Sequence, residues 1–222
     1  MQNGWQNFAP DLWLKSFPLK MLGANVRRNV SVIRLATGKL IIHSTAPFST
    51  DDVSAISAMG EPAWLIDTLL RHDTFTKEGK DAFPRARYLA PVDFALPGEP
   101  LLPAPAEWSE EIAITPVNGA PEFGEVVMLH RPSRTLIVAD LLFNFDGGES
   151  WWTKLLLSAA TVGGKYSPGM TKPFKAAIKN MPAFKASIQE ILTWDFDRVI
   201  VGHGVPVTSG GKEKLRAACA NV

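Results

Sequence analysis

PEFGEVVMLHRPSRTLIVADLLFNF, residues 121–145, is the stretch whose reading decides the fold. Two apolar runs, Glu125 to Leu129 and Thr135 to Asp140, flank the turn-forming Arg131-Pro132-Ser133-Arg134 segment, so the stretch predicts a β-hairpin. The second strand passes through Leu136 to Ala139 into Asp140, and Leu141 and Leu142 follow. A carboxylate in that setting is costly to desolvate unless a cation or hydrogen-bond donors meet it. A metal ion is one candidate partner; capping of the following turn is the commoner use of a strand-terminal aspartate.

A second anchor lies about sixty residues further on, where Val199-Ile200-Val201-Gly202-His203-Gly204 reads as a strand running into a glycine-flanked histidine. The two segments together resemble the metallo-β-lactamase superfamily. TLIVADLLF is similar to its bridging-aspartate strand, which usually ends in Gly-Asp, and VIVGHG to its late strand carrying the last histidine ligand. Within the superfamily the chain most resembles the DUF4336-like proteins, and the matching pieces run from Asn29 to Ala218. The resemblance implies a four-layer αββα sandwich, whereas the pattern alone says only mixed α and β. The length predicts one domain, over residues 29–222, with residues 1–28 as an arm plus an early strand packed on it.

The rest of the chain fits that plan. Asn29 to Leu35 and Gly38 to His43 predict a second hairpin. Most of the superfamily ends the equivalent strand in Asp-Thr-Gly; here it ends His43-Ser44-Thr45-Ala46-Pro47. Ser49 and Asp52 have capping-box spacing for a helix to Met59, stopped by Gly60. Trp64 to Leu70 predicts a buried strand, and Lys77 to Pro91 a short helix and a strand. Beyond Asp140, residues 144–150 form a polar loop with Gly147-Gly148, and Trp151 to Val162 a helix. Trp151 and Trp152 are expected in the core or as a lid wall. Gly163-Gly164 punctuates the way to a Lys-rich segment, Pro182 opens a helix with Phe184, Ile188 and Ile191, and Thr208 or Ser209 caps a last helix over Lys212 to Ala220.

One departure from the superfamily pattern is informative. Its first metal motif, Thr-x-x-His-x-His-x-Asp-His, can open only at Thr68, which puts Arg71, Asp73, Phe75 and Thr76 at the four ligand positions. None keeps the ligand type, and His72 falls between two of them. The histidine expected near Val117 to Pro121 is also missing. The remaining candidates are Asp140, His203, His72 and Asp73, with His43 at the end of a neighbouring strand and Arg71 as a cation able to pair with Asp140. His130, beside the Arg131-Pro132 turn, is expected at the surface.

Composition narrows the function classes. With 222 residues, 46% of them hydrophobic, and 23 basic against 22 acidic side chains, the chain holds a large core at a net charge of +1. It carries no electrostatic footprint for nucleic acid or an acidic membrane. Cys219 is the sole cysteine and no run of about 18 apolar residues occurs, which predicts a soluble protein of the reducing cytoplasm. No nucleophile elbow, phosphate loop or cysteine pair competes. By resemblance, the enzyme hypothesis is a hydrolase of a small ester, amide or phosphoester using one zinc or other divalent transition metal, held by Asp140, His203 and His72 or Asp73. Its rivals are a metal-free domain binding a small molecule or protein, and metal-independent acid–base chemistry by the same residues.

Overall fold

A computed structural model of the chain describes residues 4–145, 150–161 and 168–220. Gly147-Gly148 and Gly163-Gly164, expected in loops, lie outside the described residues. The strands are β1 (Gln6–Ala9), β2 (Leu12–Phe17), β3 (Lys20–Met21), β4 (Ala24–Asn25), β5 (Arg28–Arg34), β6 (Lys39–His43), β7 (Glu61–Ile66), β8 (Arg87–Ala90), β9 (Glu99–Pro100), β10 (Ile112–Pro116), β11 (Val126–His130), β12 (Thr135–Ile137) and β13 (Arg198–Ile200). The helices are α1 (Thr50–Met59), α2 (Thr76–Ala82), α3 (Trp151–Ala160), α4 (Lys172–Ala176), α5 (Met181–Thr193) and α6 (Gly211–Cys219).

Two sheets stack face to face. One has the order β1-β2-β5-β6-β7-β8-β9, the other β10-β11-β12-β13, and β3 and β4 form a separate small hairpin. The period-2 alternation of the strands distributes their side chains between layers. Along β11, Val126 and Met128 enter the cluster between the sheets, while Val127 and Leu129 enter the one beneath the helices. Along β6, Ile41 faces the second sheet and Leu40 and Ile42 face α1. Three apolar clusters therefore fill three interfaces: α1 and the end of α2 on the first sheet, sheet on sheet, and α4, α5 and α6 on the second. That is the αββα sandwich.

The local signals hold at several points. Ser49 caps α1 and closes the capping box with Asp52. Asn180 caps α5, with Pro182 in its first turn. Elsewhere tertiary packing overrides the local reading. β7 ends at Ile66, because Asp67 turns its side chain into a polar cluster rather than continuing the strand. The last helix is capped by Gly210 in the left-handed conformation, whose amide bonds to Asp197, and not by Thr208 or Ser209. Within the first 28 residues, β2 pairs along its whole length with β5. Trp151 and Trp152 are exposed, contrary to a place in the core, with the Trp152 indole donating to the carbonyl of Leu22 on the β3–β4 hairpin. No helix among the described residues is long and apolar enough to cross a membrane.

Candidate metal centre

The parallel pair β12–β13 sets the first two site residues side by side. Leu136 pairs with Val199 and Ile137 with Ile200, so the segments leaving the two strands run together. Asp140 and His203, each three residues beyond its strand, end with Asp140 Oδ1 at 3.3 Å from His203 Nε2. Both glycines around His203 are needed for this. A Cβ on Gly202 would stand 2.7 Å from the carbonyl oxygen of Ala139, next to Asp140, and Gly204 has φ of 94° with Asn144 O where its Cβ would be. The Gly-His-Gly signature is thus a packing requirement of two crossing backbones.

His72 arrives from the other sheet. After β7 the chain makes a turn in which the His72 amide bonds to the carbonyl of Leu69. The turn sends the His72 ring inward and leaves its neighbours Arg71 and Asp73 exposed. His72 Nε2 lies 3.4 Å from the same Asp140 Oδ1, and the two imidazole rings meet edge to face at 5.3 Å. The donor atoms of His72, Asp140 and His203 all lie within 4.8 Å of one another, the one group of this kind among the described residues. Side-chain exposure falls from 22% at Asp140 through 15% at His203 to 7% at His72, so the group opens to solvent on the Asp140 side.

The other sequence candidates go elsewhere. Asp73 is exposed and outside the group. Arg71 does not pair with Asp140; it turns outward over the Phe123 ring to Glu122. His43 is buried, with Nε2 at 2.9 Å from Thr68 Oγ1. His130 is fully buried rather than at the surface, its Nδ1 2.7 Å from Ser133 Oγ. It sits at the far end of β11 from the site, paired with Ile112 of β10 and Thr135 of β12.

Three supporting residues gave no motif in the sequence. Glu125, fully buried at the start of β11, accepts hydrogen bonds from the backbone amides of Ala139, Asp140 and Leu141, and so fixes the turn that carries Asp140. Burial and the Asp140 charge push Glu125 up to about 8 against the pull of those three amides. Asn29 on β5 donates to the carbonyls of Val201 and Gly204, tying the His203 turn to the first sheet. Arg28 beside it is buried and donates to Ser44 Oγ at 2.8 Å. Ser44 itself takes a left-handed φ of 74°, a strained conformation for a residue with a side chain. A fourth group, Asp67, is buried and accepts from the Thr45 amide and the hydroxyls of Thr45, Thr76 and Tyr88.

Protonation follows from these surroundings. Burial, then the Arg28 charge, lowers His72 to about 4, and burial, His72 and Arg28 lower His43 to about 3. Both rings are neutral at pH 7. Burial alone would raise Asp140, but the His72 and His203 imidazoles that converge on it outweigh burial and hold its carboxyl well below the usual range.

These residues fit a metal ion. His203 Nδ1 donates to the carbonyl of Arg27 at 2.6 Å, which turns Nε2 toward the Asp140 carboxylate as the atom free to ligate. His72 Nε2, also buried, has no hydrogen-bond partner. Lone-pair donors aimed at one point are stable only with a cation or a proton between them. Two ligand atoms on a tetrahedral zinc, at bonds of about 2.0 to 2.1 Å, stand about 3.3 to 3.4 Å apart. The Asp140 contacts of 3.3 and 3.4 Å are that edge. A cleft of about 310 Å³ lined by Pro91, Val92, Asn118, Gly124 and Glu125 includes none of the three ligand candidates in its lining.

No family model and no curated protein matches the chain by sequence. Its fold has many solved counterparts. The DIM-1 metallo-β-lactamase exposed to ceftazidime superposes with a TM-score of 0.66 at 15% identity, covering 97% of this chain and 95% of its own. The metallo-β-lactamase from Hirschia baltica gives 0.65 at 14% identity, covering 97% and 95%. FIM-1 from Pseudomonas aeruginosa, in its mono-zinc form, gives 0.65 at 12% identity, covering 96% and 92%. At such identities likeness speaks for architecture alone: the chain has the metallo-β-lactamase fold.

Proposed function

We propose that the protein is a mononuclear metal-dependent hydrolase of a small ester, amide or phosphoester, with His72, Asp140 and His203 as the three protein ligands of one zinc or similar divalent ion. The observation that carries this reading is the convergence of two imidazole Nε2 atoms on a single oxygen, Asp140 Oδ1, at the spacing of a tetrahedral edge. Three ligands leave one position open, as in catalytic zinc sites. A metal bound there would supply Lewis acidity and an activated water to the scissile bond.

The chain's own residues prepare that position. Arg27 fixes the tautomer and the plane of His203. Glu125 fixes the backbone that carries Asp140. His72 is held neutral and Asp140 ionised, the forms in which each can ligate. Asp140, the most open of the three, is placed to orient a water on the solvent side of the site.

On its sequence pattern we group the chain with the DUF4336-like proteins and place it in the cytoplasm, acting on a small molecule without nucleic acid or membrane. Cys219 is not offered as a nucleophile, since burial pushes its thiol up to about 12. One observation favours a second reading, a metal-free binding domain of the same fold: the loop after β7 supplies a single ligand where the superfamily motif has four. Elemental analysis of protein purified without added metal or a histidine tag separates the two. One transition metal per chain, removed by Asp140→Asn, supports the hydrolase; none, with a thermal midpoint that chelation leaves unchanged, supports the binding domain.

A further inference from the structure

Exposed apolar side chains are concentrated on one face of the molecule. Of the seven large apolar residues that stand exposed among the described residues, Met21, Leu22, Trp151, Trp152 and Leu155 lie together on the β3–β4 hairpin and α3, so the exposure is not scattered. The two elements sit side by side: the Trp152 indole donates to the Leu22 carbonyl, and a Cβ on Gly23 would stand 3.5 Å from the same nitrogen. Trp151 and Leu22 are 74% and 82% exposed, which makes this a bare surface and not the rim of a buried cluster. With about 150 to 250 Å² to each aromatic side chain, the five residues expose roughly 700 Å² per copy. That exceeds the patch of about 300 to 600 Å² found on an ordinary monomer. It is close to the roughly 800 Å² that each partner gives to a standard interface.

α3 turns an uncharged face outward. Thr153 and Leu157 are buried, Leu157 in a cluster with Phe143 and Phe145, while Trp151, Leu155 and Ala159 recur at a spacing of four on the exposed side. Lys154, the one charge in the helix, lies about 100° round from Leu155 and off this face. A helix face that meets water is ordinarily polar or charged. The exposed row also grades in size, from the indole of Trp151 through Leu155 to the methyl of Ala159. A second α3 running antiparallel about a two-fold axis at Leu155 sets Trp151 opposite the partner's Ala159, large against small, so that the ridge of each helix fills the groove of the other. A net charge of +1 gives two copies no long-range repulsion, and it gives the face no pull toward an anionic surface.

We propose that the protein forms a two-fold homodimer in which α3 packs antiparallel on α3 of a second copy, with the β3–β4 hairpins extending the contact. Lys172 Nζ, 2.6 Å from the Ala159 carbonyl, puts a cation at the small end of the row, next to the ring of the partner's Trp151. The interface borders the candidate metal centre without using its residues. β4 leads to Arg27, whose carbonyl orients His203, and Phe143 and Phe145 beneath α3 follow Asp140 in the chain. The association does not depend on whether a metal binds.

Sedimentation of the full chain over a concentration series is the test, and the wild-type protein should pass from monomer to dimer as concentration rises. Leu155→Asp sets two like charges against each other on the symmetry axis and should raise the dissociation constant about 100-fold or more. Ala159→Trp makes two indoles contend for one space and should weaken the dimer by a similar factor. Adding Trp151→Ala to Ala159→Trp exchanges the large and small ends of the row, and should return the constant to within about threefold of wild type. All three positions are exposed, and far-UV circular dichroism checks that each variant is folded. Wild-type protein that stays monomeric at every concentration overturns the proposal; binding of that monomer to zwitterionic vesicles, read as a blue shift of tryptophan emission, would assign the face to a lipid surface instead. A dimer that Leu155→Asp leaves intact uses another face, and one that Ala159→Trp weakens but the exchange does not restore is not antiparallel. Either result overturns the proposal and leaves the hydrolase reading untouched.

Discussion

The carboxylate of Glu125 lies 3.0 Å from the amide nitrogen of Asp140, with the amides of Ala139 and Leu141 at 2.8 Å on either side. A buried acid at the start of one strand thereby sets the backbone of the turn that carries another. The turn has no other means of satisfying three consecutive amides in an apolar surround, and each buried donor left unmade costs about 1 to 3 kcal/mol. Glu125→Leu should therefore lower unfolding free energy by several kcal/mol, on the order of 3 to 6. Glu125→Gln, which keeps one acceptor oxygen, should lower it less. Urea denaturation of the two variants checks the order, and equal losses would count against the clamp.

Ligand substitutions should separate the candidates. Asp140→Asn and His203→Gln should each reduce zinc affinity by about 100-fold or more, and His72→Gln by a similar factor, because three-ligand sites tolerate no loss. Asp73→Asn, at an exposed position outside the group, should leave affinity within about twofold. Loss of zinc on changing Asp73 but not His72 would reassign the third ligand.

Acid should destabilise the metal-free protein through its buried neutral histidines. His43 has an ordinary value of 6.5 and is lowered to about 3 by burial, His72 and Arg28. Between those values the unfolded chain binds a proton that the folded chain does not, so stability is lost as pH falls below 6.5. His43→Gln, which retains a partner for Thr68, should remove about 2 kcal/mol of the loss between pH 6.5 and pH 5. Parallel urea titrations at the two pH values are the measurement, and an unchanged pH dependence would refute the assignment.

Gly204→Ala should be among the most damaging single-methyl changes. The residue has a positive φ, and the added Cβ would meet the carbonyl of Asn144 far inside contact distance. Since Asn144 belongs to the segment after Asp140, relief of the clash must move Asp140 and His203 apart. The expectation is a loss of more than about 2 kcal/mol of stability together with weaker zinc binding. Retained affinity in a destabilised but folded variant would show that the two segments move as one.

The sequence by itself determined those parts that rest on neighbours in the chain. Continuous apolar runs placed β11, β12 and β13, because a short strand covered on both faces buries every one of its side chains. The Ser49–Asp52 box marked the start of α1, and the glycine-flanked His203 marked the end of a strand. Asp140 and His203 were legible because each ends an apolar run. Only the tertiary structure decided the rest. His72 is a ligand candidate, and Arg71 and Asp73 are not, because a turn at Leu69 fixes which side chain points inward, and counting along a motif does not contain that rotation. Arg28, Asn29, Asp67 and Glu125 carry no motif, and a charged residue in a strand reads as solvated until its burial is known. Their roles arise where the two sheets pack, between residues such as Asn29 and Gly204 that lie 175 positions apart, and it is that packing which brings a cation, three ligand candidates and their supports to one edge of the sandwich.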